Sequence, residues 1–254
     1  MRRSGRRPDV LAEFCLETTV CDEYIALASL GGRALTGRSR RRVRSSPMAE
    51  RREPFRQALV DLRRRLREGD LAPGTRITAK EIAEALRLSP TPVREALSRL
   101  AGEGVLEERR GDGFFVPELS AADIAALYRL SEQLLLMSQG ATRSSHRDLR
   151  LSELMTDDDP IRCVERLFLA WAVESGSRVT IEAYRTVAVR LAPVRRREVD
   201  LIDDLAQEAE GLLRLADPAR HRARPTAIQA FHRRRAALVE RLADLVRPTR
   251  ASGI

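Results

Sequence analysis

The sequence predicts a mainly α-helical protein in which three short helices and a hairpin precede a purely helical second half. Apolar residues make up 43% of the 254 residues and aromatic residues only 4%. The apolar set is dominated by Leu, Ala and Val, whereas strand-rich folds favour β-branched and aromatic residues. Apolar residues recur at helical spacing from about residue 53 onward, and one pair of short strands interrupts them.

The net charge of +9 is unevenly distributed along the chain. Residues 1–52 carry a net charge of +6, residues 53–117 carry +1 and residues 118–254 carry +2. A strongly basic chain favours a polyanionic partner. The excess positive charge lies in the N-terminal segment. Nucleic-acid binding therefore has to be inferred from the pattern of residues and not from the net charge.

Residues 1–52 do not form a recognisable domain. We expect residues 1–47 to be a disordered arm or an extension upstream of a true start at Met48, and a basic arm that adds phosphate contacts is the alternative. The basic first residues are followed by acids that interrupt any signal peptide, and no apolar run approaches the roughly 20 residues that span a bilayer. We therefore expect a cytoplasmic, nucleoid-associated protein with no membrane contact.

Apolar spacing predicts the first two helices. The first apolar stripe starts just after Pro54, and Gly69 ends this helix. Thr78 and Glu81 have the spacing of a capping box, which opens a second helix. The first helix buries Phe55, Leu59, Leu62 and Leu66, and the second buries Ile82, Ala83 and Leu86.

A third helix is predicted over about Pro90–Glu103, capped by Ser89 after a tight turn that includes Leu88. At about 100° per residue, its two faces differ sharply in character. The polar face has short side chains apart from Arg94 and Glu95, so it can approach another surface closely. The apolar face holds Val93, Ala96, Leu97 and Leu100, and the polar face holds Thr91, Arg94, Glu95 and Ser98.

Two short strands, 105–108 and 114–116, follow this helix, and Arg109–Gly113 joins them as a tight reversal. Three helices followed by a basic-tipped hairpin form a winged helix-turn-helix, which we predict over residues 53–117. In this fold the third helix enters the major groove of DNA.

Residues 55–116 resemble the GntR family of bacterial regulators. The resemblance rests on LREGDLAPGTRI, AKEIAEAL, SPTPVREALSRLAGEGVLE and RRGDGFFV, in this order and at these spacings. It implies DNA contacts at Lys80, at Ser89, Thr91 and Arg94, and at Arg110 and Gly111. Pro90 stands where many members have an arginine.

Physical chemistry adds detail to these roles. Arg94 suits a bidentate contact with guanine O6 and N7, whereas Lys80 suits a phosphate contact that positions the helix. The alternative for Arg94 is a solvated side chain paired with a neighbouring acid. Arg109 and Arg110 suit phosphate or narrow-groove contacts. The predicted DNA-binding set is Lys80, Ser89, Thr91, Arg94, Ser98, Arg109, Arg110 and Gly111.

Residues 118–248 predict an all-helical bundle, followed by a tail over 249–254. Ser120 and Asp123 form a capping signal for a helix with a stripe of Ile124, Leu127, Leu130 and Leu134. Asp159 caps a helix that begins at Pro160, which we favour over a cation site at residues 157–159. Further helices are predicted over 179–191, 194–215 and 226–246.

The bundle resembles the effector domain of the FadR subfamily, through DIAALYRLSEQLL and LFLAWAVESGS. The resemblance implies a metal held by one aspartate and three histidines, and a small carboxylate ligand. Val164 and Phe168 stand at the positions of the acid and a histidine, and Ser131 replaces a frequent arginine. His232 alone cannot hold a metal well and is interpreted as a structural or surface residue. We therefore expect no metal and no cofactor, and Cys163 packs as a small apolar residue.

The sequence thus predicts a homodimeric repressor that binds a near-palindromic operator, dimerises through its C-terminal helices and responds to a small metabolite. The alternatives are a ligand-independent architectural DNA-binding protein and a winged helix diverted to protein contacts. An enzyme is not expected, because a fused aminotransferase domain could not fit after Pro117 and no catalytic motif is present. The predicted set of catalytic residues is empty.

Overall fold

The computed structural model describes residues 47–139 and 159–247. The expectations for the N-terminal arm, for the tail and for the first two acids of residues 157–159 lie outside these ranges. The described part of the chain divides into two compact units, residues 47–62 with 79–96, and residues 63–78 with 97–139 and 159–247. This division crosses the segment 53–117, and the domain boundaries given above stay predictions. Each unit is described by itself.

The described part of the first unit holds most of helix α1, helix α2 and the start of helix α3. Helix α1 (Pro47–Glu68) begins ahead of Pro54, which lies inside it, and α2 spans Ala79–Leu86. Helix α3 (Pro90–Gly102) begins at the predicted proline. The buried apolar residues of this unit are Ala58, Leu59, Leu62, Ile82, Ala83, Val93 and Ala96, while Phe55 and Leu86 are only partly buried.

A left-handed residue ends helix α2. Arg87 has φ = 55°, and it donates its N–H to the Glu84 carbonyl at 3.2 Å. The next N–H, of Leu88, donates to the Ala83 carbonyl at 2.9 Å. These two bonds satisfy carbonyls at the helix end, a role usually taken by a glycine in this conformation. The reversal predicted at Leu88 and Ser89 therefore begins one residue earlier, at an arginine.

The second unit contains a small antiparallel sheet of strands β1 (Arg76–Ile77), β2 (Glu107–Arg109) and β3 (Gly113–Phe115), in the order β1-β3-β2. Strand β1 was not predicted, whereas both predicted hairpin strands are present with shifted ends, 107–109 instead of 105–108 and 113–115 instead of 114–116. The N–H groups of Val105 and Leu106 donate to the Leu100 carbonyl at 2.9 and 3.3 Å. Because these bonds hold both residues at the end of α3, pairing starts only at Glu107.

The predicted cap of α2 is only partly confirmed. The helix begins directly after Thr78, as predicted. The hydroxyl of Thr78 is nevertheless buried without a hydrogen-bond partner in the described part of the chain. The prediction that the Thr78 hydroxyl forms a capping bond is therefore wrong.

Helices make up the rest of the second unit, and α4 lies at its centre. Helix α4 packs against α5, α6, α8 and α9. The core between these helices includes Phe168, Trp171 and Tyr184, all fully buried. The bounds are α4 Ala121–Gln139, α5 Pro160–Glu174, α6 Arg178–Arg196, α7 Leu205–Leu213, α8 Arg224–Ala236 and α9 Val239–Val246.

The capping pair predicted for α4 is confirmed. The Asp123 N–H donates to the Ser120 hydroxyl at 3.2 Å, and the Ser120 N–H donates to the Asp123 carboxylate at 3.0 Å. The Ser120 hydroxyl also donates to the Asp123 carboxylate at 2.5 Å, and this bond, together with the one from the Ser120 N–H, lowers the pKa of Asp123. One residue of the predicted stripe is wrong, because Leu130 is 48% exposed. It lies about 120° around the helix from Ile124, and Tyr128 takes the buried face instead.

Two predicted helices are each divided in the structure. Helix α6 continues through Pro193 to Arg196, and a 3-10 turn at Glu198–Asp200 separates it from α7. The buried carboxylate of Glu198 lies in this break. The apolar pattern over 226–246 likewise covers both α8 and α9, with a break at residues 237–238.

Candidate nucleic-acid interface

Helix α3 presents a polar face whose orientation is fixed by burial of the opposite face. Val93, Ala96, Leu97 and Leu100 are all 0% exposed. Thr91, Arg94 and Ser98, at spacings of three and four residues, are all exposed. Since residues three and four apart share one side of a helix, these three side chains lie on one exposed face. We call this face the helix surface.

The predicted contact residues of the first unit are all exposed. Arg94 forms no ion pair with any residue that the structure describes, so the alternative of a pair with a neighbouring acid is not found. Lys80, at the start of α2, is 83% exposed and lies 4.0 Å from Glu84. An exposed pair at this distance contributes little, so the ammonium stays available to a phosphate. Ser89, before α3, is also exposed.

The hairpin of the second unit forms a separate wing surface, defined by Arg109, Arg110 and Gly111. Arg109 is the last residue of β2 and pairs with Gly113. Its guanidinium lies 3.1 Å from the Glu107 carboxylate and 4.2 Å from the ring centroid of Phe115. The chain thus holds this cation along the strand. It was predicted to lie in the loop, and that placement is wrong.

Arg110 and Gly111 form the tip of the wing surface. Both are exposed, and Gly111 has φ = 83°, a conformation that favours glycine. Arg110 has no ion pair among the residues that the structure describes. Its guanidinium is therefore the more available of the two arginines at the wing.

The structure adds a cation that the sequence analysis missed. Arg76 on β1 is exposed. Its side chain lies close to Gly113 on the neighbouring strand: a Cβ atom built on this glycine would be 3.7 Å from the Arg76 Nε atom. Arg76 therefore lies beside the wing hairpin. A strand of two residues carries no periodicity, so the sequence offered no signal for this placement.

The bundle residues matched to the metal ligands of relatives lie in an apolar and aromatic environment. Val164 and Phe168 are buried in the core, as is Cys163. The described ranges contain no group of three His, Cys, Asp or Glu residues that could hold a metal ion. The Phe168 ring stacks on His232 with centroids 5.9 Å apart.

His232 is a buried structural residue, so the surface interpretation is wrong. Its Nδ1 lies 2.7 Å from the Ile228 carbonyl oxygen, and its Nε2 lies 3.0 Å from the Ser131 hydroxyl. A carbonyl only accepts, so Nδ1 carries the proton and Nε2 accepts from Ser131. Burial lowers the pKa of His232 to about 3, and the charges of Arg195 and Arg235 add to this effect.

Comparison with known proteins decides the family. The pattern of the family described as "Bacterial regulatory proteins, gntR family" matches residues 55–116. The HTH-type transcriptional regulator McbR of Escherichia coli (strain K12) is 32% identical over 146 residues, which are 52% of this chain and 66% of McbR. The chain belongs to the GntR family.

Another relative agrees with this membership, and two solved structures share the fold. The Nta operon transcriptional regulator of Aminobacter aminovorans is 47% identical over 58 residues, 23% of this chain and 28% of that protein. The structure of E. coli McbR/YncC has a TM-score of 0.60 at 24% identity, covering 74% of this chain and 98% of that one. A putative GntR regulator from Rhodococcus sp. RHA1 has a TM-score of 0.59 at 18% identity, covering 73% and 96%.

The two structural likenesses show a winged helix followed by a helical domain. The family and the named relatives are regulators of transcription. Within the described ranges, none of the helices combines the length and apolar character that crossing a membrane requires.

Proposed function

We propose that this GntR protein is a sequence-specific repressor that binds a near-palindromic operator as a homodimer, in the cytoplasm at the nucleoid. The observation that supports this most is the exposed helix surface of α3 opposite a fully buried apolar face. Such a face can lie against base edges in the major groove without any rearrangement of the helix.

The exposed side chains divide into two roles. Arg94 donates two hydrogen bonds to a guanine, which discriminates against other bases by about 1–3 kcal/mol. Ser98 lies one turn further on the same face and adds a short polar contact. Lys80, Ser89 and Thr91 bind phosphates and position the helix.

The wing surface adds contacts that do not depend on sequence. Arg110 and the backbone of Gly111 contact phosphates or a narrow minor groove, and Arg76 extends this basic surface. Arg109 contributes both to the hairpin and to DNA binding, because its guanidinium already contacts Glu107 and Phe115.

Dimerisation follows from the size of the recognition surface. One helix contacts only a few base pairs, and two linked copies gain both site length and effective concentration. Helix α4 supports an interface through the C-terminal helices, because Leu130 and Met137 are 48% and 66% exposed. These residues are seven apart and therefore lie on one face of the helix.

An architectural DNA-binding role is the second candidate. It is favoured by the apolar residues Val164 and Phe168 at positions where relatives hold a metal, since a bundle without an effector would not regulate. Selection of bound sequences from a random DNA pool, followed by footprinting, tests both. A repressor enriches one near-palindromic motif and protects it; uniform coating supports the architectural role, and no DNA binding contradicts both.

A further inference from the structure

The turn between helices α2 and α3 contains a strained residue that carries a positive charge. Arg87 has φ = 55° and an exposed side chain. Its guanidinium forms no ion pair with any residue that the structure describes. The carboxylate of Glu84, three residues earlier, lies 4.0 Å from the Lys80 ammonium instead. Arg87 is therefore a solvated cation at a defined point of the turn.

The backbone contacts of Arg87 explain its conformation but not its side chain. The Arg87 N–H donates to the Glu84 carbonyl at 3.2 Å, and the Leu88 N–H donates to the Ala83 carbonyl at 2.9 Å. Both bonds come from the main chain, so a glycine would form them without the steric cost of a Cβ atom. A strained residue that the local structure does not require indicates a role for its side chain.

The dipole of helix α2 does not explain the arginine either. A cation near the C-terminal end of a helix is stabilising, but it acts equally well from the last helical turn, where φ is not strained. The last turn of α2 contains no basic residue. An interaction with the dipole therefore leaves the left-handed position of this cation unexplained.

Arg87 lies between two residues for which phosphate contacts are proposed above. Lys80 lies seven residues earlier, at the start of α2, and the exposed Ser89 lies two residues later, just before α3. In a helix-turn-helix the first of the two helices crosses the DNA backbone and the second enters the major groove. The turn between them consequently lies at the edge of the groove, where the phosphates are.

We propose that Arg87 is a further DNA contact, which binds a backbone phosphate beside the one bound by Ser89 and so helps to position α3. The inference rests on the proposed function. A guanidinium donates two parallel hydrogen bonds to a phosphate, and it keeps its charge at any pH at which the protein is folded. Because a phosphate contact carries no sequence information, Arg87 adds affinity for every DNA sequence.

The first test compares the full-length wild type with Arg87→Asn, Arg87→Gly and Arg87→Lys, by fluorescence anisotropy over a salt series. Asparagine and glycine both tolerate the left-handed conformation without a charge, whereas lysine keeps the charge. We expect the first two variants to reduce the slope of log K against log salt by about 1 for each bound protomer. At about 0.1 M salt, this corresponds to a loss of roughly 5- to 10-fold per protomer, on operator and random DNA alike. Arg87→Lys keeps the wild-type slope.

The matched control is Arg214→Asn, which removes an exposed arginine of the bundle and the same single charge. This variant keeps the wild-type slope. Melting temperatures verify that each variant is folded, and Arg87→Gly keeps the test decisive if Arg87→Asn does not fold. An unchanged slope in the folded Arg87 variants overturns the inference. So does an equal change in Arg214→Asn, or a loss confined to the operator.

The second test locates the contact on the DNA. A neutral methylphosphonate replaces one operator phosphate at a time. At one position in each half-site, this replacement weakens binding of the wild type by roughly 5- to 10-fold and leaves Arg87→Asn unaffected. If every position weakens both proteins equally, the contact does not exist. A wild type that binds no DNA contradicts the proposed function together with this inference, whereas operator binding that is insensitive to Arg87 contradicts the inference alone.

Discussion

The guanidinium of Arg109 lies 4.2 Å from the ring centroid of Phe115, and this contact distinguishes it from its neighbour Arg110. An ion pair with Glu107 at 3.1 Å holds Arg109 further along its strand. Arg110 extends from the tip of the hairpin without an ion pair in the described ranges. Two adjacent arginines therefore contribute differently, one to the hairpin and one to a partner.

The two arginines of the wing give the first prediction. Arg110→Ala weakens binding to all DNA sequences and reduces the slope of log K against log salt by about 1, because one phosphate contact is lost. Arg109→Ala mainly lowers the free energy of unfolding, by about 0.5–1 kcal/mol, through loss of the cation–π contact. Fluorescence anisotropy over a salt series and urea unfolding measure the two effects. An unchanged salt slope in Arg110→Ala contradicts its role.

Arg87 gives a prediction about stability. Its φ of 55° strains a residue with a Cβ atom. Arg87→Gly therefore raises the free energy of unfolding by about 0.5–1 kcal/mol. Glu95→Gly, at an exposed position inside α3, lowers it by about 1 kcal/mol and is the matched control. Urea unfolding measures both, and a less stable Arg87→Gly variant contradicts the strain.

His232 gives a prediction about pH. Its pKa is about 3 in the folded protein and 6.5 ordinarily. Between these values the unfolded chain binds a proton that the folded chain does not. Proton binding by the unfolded chain therefore lowers the free energy of unfolding as the pH falls below about 6.5, by roughly 1.4 kcal/mol per pH unit at most. The His232→Gln variant lacks this proton binding and therefore lacks this contribution to the pH dependence.

The measurement is urea unfolding at pH 7 and pH 5 for both proteins. Other groups titrate equally in wild type and variant, so the difference between them isolates His232. The wild type loses more stability than His232→Gln over this interval. Equal losses contradict a buried neutral histidine.

The buried cluster around Arg235 gives a further prediction. The Arg235 guanidinium is buried and lies 2.7 Å from the carboxylates of both Glu198 and Glu208. Arg235→Met leaves Glu198 and Glu208 without their shared cation, and it lowers the free energy of unfolding by about 3–5 kcal/mol. Arg234→Met removes the adjacent, exposed pair with Asp204 and costs far less, because solvent screens an exposed ion pair. Similar losses in the two variants contradict the distinction between the buried and the exposed arginine.

Sequence alone predicted the parts of the fold that local chemistry determines. Ser120 and Asp123 cap α4 as predicted, and Val93 to Leu100 bury the predicted face of α3. Strand β1 was missed, because its two residues pair only with β3, a contact remote in sequence. The break at Glu198 was missed because the partner that draws its carboxylate inward, Arg235, lies 37 residues away.

The sequence likewise predicted some features of the candidate site and missed others. The face of Thr91, Arg94 and Ser98 follows from helical spacing, and the structure exposes it. The different environments of Arg109 and Arg110 depend on strand register, which the pattern did not determine.

Base contact by the exposed face of α3 is tested by the affinity of Arg94→Ala for the selected operator and for random DNA, measured by anisotropy at one salt concentration. We predict that this variant loses about 5- to 100-fold in operator affinity and less than about threefold on random DNA. Lys80→Ala loses similar factors on both, because a phosphate contact carries no sequence information. Equal losses on operator and random DNA in Arg94→Ala contradict base contact by the exposed face of α3.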